Sequence, residues 1–270
     1  MMQSSSPIFN MARQAGFRAR AASQFPAHDF LYQWVARDMT ERLSEITRDF
    51  RSVLLSGEHT AEYFKEKFPQ ADISRTTTPE TLAAQAGKYD CILSMGEMHC
   101  ANDLPGLLIQ MRRALKPDGV LLAAFAGGET LHELRAALMQ GEIEATGGAS
   151  PRVYPFVDKQ QMAGLMQRAG FALPVVDSEI LTISYRDMFH VIADIRGMGE
   201  SNALQDCHTS FSSSRLFFKA AKFYQDTYAE SDGRVTASYE MIFVIGWAPH
   251  ESQQQPARRG SGQVSLTEIL

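Results

Sequence analysis

Two stretches decide the fold: Tyr89-Asp90-Cys91-Ile92-Leu93-Ser94-Met95, and Leu115-Lys116-Pro117-Asp118-Gly119-Val120-Leu121-Leu122-Ala123-Ala124-Phe125 after it. The first is an almost unbroken apolar run, as expected of a strand buried on both faces of a parallel sheet. Residues 103–115 have helical spacing. Lys116-Pro117-Asp118-Gly119 is a stop-and-turn signal. Residues 120–125 read as the next buried strand, and Gly127-Gly128 ends it.

Reading outward, the alternation continues. Upstream, Phe30, Leu31, Trp34, Val35, Met39, Leu43 and Ile46 recur at steps of three and four, an amphipathic helix or helix pair within 26–50. Val53-Leu54-Leu55 is a short strand, 60–68 a helix, and Ala71-Asp72-Ile73 a second strand. Thr78 and Pro79 read as the cap and first position of a helix. Downstream, 129–140 and 159–169 are helical and 172–184 strand-like. This order implies a doubly wound α/β sheet, whose ligands bind beyond the carboxyl ends of the strands. Residues 185–234 break the alternation with two helices, at 188–196 and 214–228, before a last strand at 235–247. That strand places Tyr239, Met241, Phe243 and Ile245 on one face. The organisation expected is an N-terminal helical segment (1–50), a main domain (51–249) with a helical lid (185–234), and a polar tail (250–270).

Composition bounds the function. The net charge of −5 argues against a nucleic-acid scaffold, which needs a basic surface. Three cysteines, Cys91, Cys100 and Cys207, form no paired spacing, which fits a reducing compartment. Adjacent His99 and Cys100 do not make a metal site. No run approaches the ~18 apolar residues of a membrane span. Residues 11–24 are rich in Arg and Ala and free of acids, a composition shared by transit peptides and basic amphipathic helices. The helix of a folded domain is the reading taken, which favours bacterial cytoplasm over the mitochondrial matrix.

The segment Leu115 to Leu122 resembles the turn before a central strand of class I methyltransferases. Phe125-Ala126-Gly127-Gly128-Glu129-Thr130-Leu131-His132-Glu133-Leu134-Arg135 resembles the mitochondrial complex I assembly factor 5 family and its bacterial relatives. Gly147-Gly148, Ser150-Pro151, Pro155-Phe156, Arg168-Ala169-Gly170-Phe171, Gly197-Met198-Gly199-Glu200-Ser201-Asn202 and Ile245-Gly246-Trp247 agree with it, as do Ile8-Phe9-Asn10, Arg20-Ala21-Ala22 and His28-Asp29-Phe30-Leu31. The biotin-pathway malonyl-carrier-protein methyltransferases are similar more distantly. The resemblance implies a Rossmann-like, mostly parallel sheet with an antiparallel C-terminal strand, a shortened cofactor half and a helical insertion. It implies S-adenosylmethionine as cofactor. The partner implied is a protein or acyl-carrier-protein substrate, such as a complex I subunit. Two readings follow: a methyltransferase acting on a protein, or a non-catalytic assembly factor for respiratory complex I.

The cofactor loop departs from that family. An acidic residue and a Gly-x-Gly turn are expected after strand one, yet the chain reads Val53-Leu54-Leu55-Ser56-Gly57-Glu58-His59-Thr60. Gly57 alone allows close backbone approach. Glu58 and Asp72 are the candidates for the ribose hydroxyls, with Ser94 and Met95 closing the cofactor side. The alternative leaves Glu58 and His59 merely solvent-exposed and the cofactor unbound. The family's third strand and its Leu-Pro-Phe segment are missing. On the substrate side, His99 is the candidate general base. Asn102, Arg135, Glu200, Ser201 and Asn202 are candidate substrate contacts. Asp103 reads as a helix cap.

Overall fold

A computed structural model describes residues 6–76, 86–207 and 212–254. Its elements alternate as the apolar pattern requires. Helix α1 (Met11–Ala21) and α2 (Phe30–Ser44) precede β1 (Ser52–Ser56), α3 (Thr60–Phe64), β2 (Asp72–Thr76) and β3 (Tyr89–Met95). Then come α4 (Leu104–Ala114), β4 (Leu115–Ala126), α5 (His132–Thr146), α6 (Lys159–Arg168) and β5 (Ala172–Tyr185). The chain continues through α7 (Met188–Gly197) and α8 (Ser214–Tyr228) into β6 (Val235–Trp247). The six-stranded sheet has the order β2-β1-β3-β4-β6-β5. Strands β1 to β4 are parallel, and β6 runs antiparallel to both β4 and β5.

Side-chain alternation along the strands builds two cores. Cys91, Leu93 and Met95 of β3, with Leu122 of β4 and Phe243 of β6, face α2, α5, α7 and α8. Ile92, Leu121, Phe125, Ile242 and Val244 face α4 and α6. The strand at 89–95 is buried at every position, which its apolar run predicted.

Two local expectations are corrected. The turn at 116–119 lies within β4: Tyr89 pairs with Leu115 and Cys91 with Val120, so Lys116 to Gly119 form an irregularity with Asp118 at φ +62°. The helix expected from 129 begins at His132, because Leu131 is left-handed (φ +55°) and the Thr130 hydroxyl is tied to Glu240 O at 2.9 Å. Along α8 the helical period buries Tyr224 and leaves Phe218 exposed. Asp103 does cap α4, its carboxylate accepting the Gly106 amide at 2.9 Å. The cap expected at Thr78 and the absent third strand fall at 77–85, outside the described residues.

Helices α5 and α8 meet at Gly141, where an added Cβ would lie 2.7 Å from both the Ala220 nitrogen and the Leu216 oxygen. Neither is a flexible side chain. Gly141→Ala is expected to lower stability by about 1–3 kcal/mol through overpacking. Denaturant unfolding measures this; an unchanged midpoint would mean that the two helices separate easily.

Candidate functional site

The parallel strands deliver their carboxyl ends to one edge, where Ser56, Met95 and Ala126 terminate β1, β3 and β4. The N-terminal segment crosses this edge as a strap. Phe9 exchanges two hydrogen bonds with the Asn102 side chain, at 2.8 and 3.0 Å. The Asn10 amide donates to Ala203 O, the Gln205 amide to Ile8 O, and Arg13 to Leu204 O. Helix α1, capped by Asn10, then carries Arg18 inward.

Arg18 is the centre of the site. Its Nη1 donates to both Glu97 carboxylate oxygens, at 2.7 and 2.8 Å, and its Nη2 donates to Glu200 at 2.9 Å. Glu58 lies 4.0 Å away. Glu97 also accepts the Glu58 backbone amide at 3.1 Å. The other Glu200 oxygen meets His99 Nε2 at 3.2 Å, and the Tyr32 hydroxyl reaches Glu200 at 3.4 Å. Gly199, at φ +78°, brings Glu200 in across the backbone of Arg18, where a Cβ would come within 2.9 Å of Arg18 Cα.

Burial raises the carboxyl pKa of Glu200, but Arg18 and His99 outweigh it and hold the group at about 2. Burial pushes Glu97 above the ordinary range despite Arg18. One guanidinium thus faces two buried carboxylates, with a third at the rim. An ionised Glu200 places the proton on His99 Nε2. His99 Nδ1 is buried with no hydrogen-bond partner among the described residues. Burial lifts the Cys100 thiol to about 12, so it is no nucleophile at neutral pH.

Beside this cluster lies a cavity of about 250 Å³. Leu31, Val35, Leu134, Ile192 and Met241 give it apolar walls, and His99 and Glu200 line it too. Tyr154 and Phe156 separate it from a wider depression of about 700 Å³ that includes Arg135.

The structure sorts the expected site residues. Met95, His99, Glu200, Ser201 and Asn202 all line the cavity. Asn102 lies instead under the strap, and Arg135 in the wider depression, with weak 3.4 Å contacts to the Gly128 and Thr130 carbonyls. Ser94 is sealed in the β1–β3 ladder opposite Ser56. Asp72 stands opposite Ser52 at the amino end of β2, about 13 Å of strand from the Gly57 edge. It cannot serve the ligand end; Thr76 occupies that place. His59 is not solvent-exposed but stacks on Phe25, ring centroids 3.6 Å apart. Arg18 and Glu97 went unassigned in the sequence. Their signal was weak: an acid-free basic helix, and one acid in the loop after β3.

Comparison with known proteins places this geometry. The model of the methyltransferase domain family matches residues 23–174. Arginine-hydroxylase NDUFAF5, mitochondrial, of Danio rerio is 33% identical over 90% of this chain and 82% of its own length; that of Homo sapiens is 36% identical over 89% and 76%. Malonyl-[acyl-carrier protein] O-methyltransferase of Methylovorus sp. is 27% identical over 85% and 86%. This chain belongs to the methyltransferase domain family. The solved structure of YcgJ from Bacillus subtilis covers 79% of it and 99% of its own chain, with a TM-score of 0.51 at 13% identity, a likeness of fold. The sheet is that of class I S-adenosylmethionine-dependent methyltransferases.

The described residues do not fit that cofactor. Gly57 has the open backbone (φ +116°) that would let a ligand approach. Yet a Cβ there would meet Glu97 Cγ and Thr60 Oγ1 at 2.8 Å and Met95 O at 2.9 Å. The turn is filled by the chain's own side chains. No carboxylate ends β2, and Glu58 is turned toward Arg18.

The cavity wall at Arg152 has its own anchor. Arg152 makes a two-pronged pair with Glu142, at 2.7 and 2.9 Å, and Ser150 adds its amide and hydroxyl. Arg152 is the largest influence holding the Glu142 carboxyl at about 2. A depressed carboxyl contributes stability above its unfolded pKa, and that contribution is lost as pH falls through the folded value. Glu142→Gln is therefore expected to lower stability by about 1–3 kcal/mol at pH 7. The deficit should shrink between the ordinary carboxylate range and about pH 2. Paired urea titrations across pH measure it; a deficit independent of pH would exclude the ion pair as its source.

Proposed function

We propose that this chain binds a cationic side chain of a partner protein in the cavity over the strand ends and carries out no methyl transfer of its own. One observation carries this reading: Glu97 of the Arg18–Glu97–Glu200 cluster sits against the Gly57 turn, while Glu200 brings the one carboxylate among the described residues to the lining of a largely apolar cavity, whose other charged side chains are Arg152, already paired with Glu142, and Arg196. Apolar walls with the Glu200 carboxylate at one end suit a long alkyl stem bearing a cation. The names of the relatives agree with a protein-borne target: one is an arginine-hydroxylase and another acts on a malonyl group of acyl-carrier protein. Arginine is the side chain we favour, with Glu200 its partner and His99 behind it. Holding a subunit during assembly of respiratory complex I, in a bacterial cytoplasm, is the role such a site would serve. The competing reading, catalysis with S-adenosylmethionine, requires Glu97 to leave the turn.

Calorimetric titration with S-adenosylmethionine and S-adenosylhomocysteine is expected to show no heat and no thermal stabilisation at about 1 mM ligand. Tight binding to the unaltered protein would sink the non-catalytic reading. N-acetyl-arginine amide should bind, its norleucine counterpart should not, and Glu200→Gln should weaken binding about tenfold or more. Equal binding of the two amides would remove the cation-binding reading. A deletion strain with normal complex I levels would count decisively against the assembly role.

A further inference from the structure

We infer that Glu97 is an internal substitute for the carboxylate of an amino-acid-type ligand. Arg18 and the backbone amide of Glu58 form a carboxylate receptor that the chain keeps filled with its own side chain. The inference rests on the reading that the unaltered protein uses no such cofactor.

Four observations converge. Arg18 Nη1 reaches both Glu97 oxygens, at 2.7 and 2.8 Å, a charge-assisted contact of the kind with which guanidinium recognises free carboxylates. A further donor, the Glu58 amide, comes from the turn after β1 and meets the same carboxylate at 3.1 Å. The opening that Gly57 provides at that turn is used by Glu97 and not by solvent, as the 2.8 Å approach of a hypothetical Cβ to Glu97 Cγ shows. Finally, the receptor has a donor left over. Arg18 Nε is buried without a hydrogen-bond partner among the described residues, so Glu97 does not exhaust what the guanidinium offers.

The chemical class follows from this geometry. A ligand that replaced Glu97 would bring a free carboxylate to Arg18 and the Glu58 amide. An α-amino acid, or the amino-acid end of S-adenosylhomocysteine, has that group on a stem narrow enough for the Gly57 turn. Being covalently attached, Glu97 acts at high effective concentration and excludes dilute external carboxylates. It has a mechanical consequence as well. The bond to Glu97 helps seat α1, whose strap is also tied to 203–205. The site is thereby closed without a ligand, where a receptor lacking Glu97 would close only on binding.

Glu97→Ser opens the receptor, and the probes are S-adenosylhomocysteine and methionine. The unaltered protein should show no thermal shift. Glu97→Ser should gain roughly 3 °C at about tenfold over the ligand's Kd. Glu97→Gln, which still fills the turn, should gain nothing, nor should the double variant Arg18→Gln with Glu97→Ser. Hydrogen exchange in Met11–Ala21 should quicken in Glu97→Ser and slow again with ligand. Should Glu97→Ser fold poorly, Glu97→Ala supplies a second route: acetate, but not chloride, should restore its folded fraction. A folded Glu97→Ser that binds neither probe overturns the inference, as does an Ala variant that acetate cannot rescue. If the unaltered protein binds S-adenosylhomocysteine, the non-catalytic reading fails first; if both proteins stay silent, only the present inference falls.

Discussion

The buried contact between Arg18 and the Glu97 and Glu200 carboxylates joins four parts of the chain that lie far apart in sequence: α1, the turn after β1, the loop after β3, and the segment after α7. Taking such charges out of water carries a large desolvation penalty, and mutual attraction offsets it only when geometry and additional hydrogen bonds are good. Here Arg18 Nη1 reaches both Glu97 oxygens, Nη2 reaches Glu200, and Glu200 is further held by His99 and Tyr32. Removing Arg18 would leave Glu97 with the Glu58 amide and Glu200 with His99 and Tyr32, and neither with a guanidinium. The cluster is therefore a constraint on the whole edge: the strap, the turn and the lid segment keep their relative places because the ions must stay matched.

The fold was legible because it rests on local period. The run at 89–95 states its burial in consecutive residues, and the alternation in 235–247 sends Tyr239, Met241 and Phe243 to one core and Ile242 and Val244 to the other. Boundaries were less legible where tertiary contacts override local preference. Nothing in Glu129 and Thr130 announces that the Thr130 hydroxyl will be tied to β6 and delay α5. The turn residues at 116–119 were recognised, but their placement inside a strand depends on the register with Tyr89.

The site divides in the same way. His99, Glu200, Ser201 and Asn202 line the cavity because they sit in loops that the topology sends to the strand-end edge. Asp72 was misplaced because the strand read at 71–73 runs on to Thr76: Asp72 opens it, opposite Ser52, and Thr76 stands at the ligand end. Arg18 was missed for a deeper reason. A pairing across 79 positions with Glu97 and across 182 with Glu200 leaves no periodic trace. A basic helix facing acids placed elsewhere looks, residue by residue, like a solvated surface.

The two halves of the edge have been altered by different physics. On the substrate half, an apolar cavity persists with titratable groups at one end, a shape that serves binding whether or not chemistry follows. On the cofactor half, specificity in this fold depends on backbone approach at a glycine turn and on charges left unsatisfied until the ligand arrives. Such a site is vulnerable to a single well-placed acid. With Glu97 paired to Arg18 and set against Gly57, the donors at this turn meet an acceptor of the chain's own, and β2 ends on Thr76 without a carboxylate. Gly57 gives Glu97 the space it fills, and Arg18 supplies the charge that Glu97 and Glu200 face, so both residues have a role within the chain's own structure.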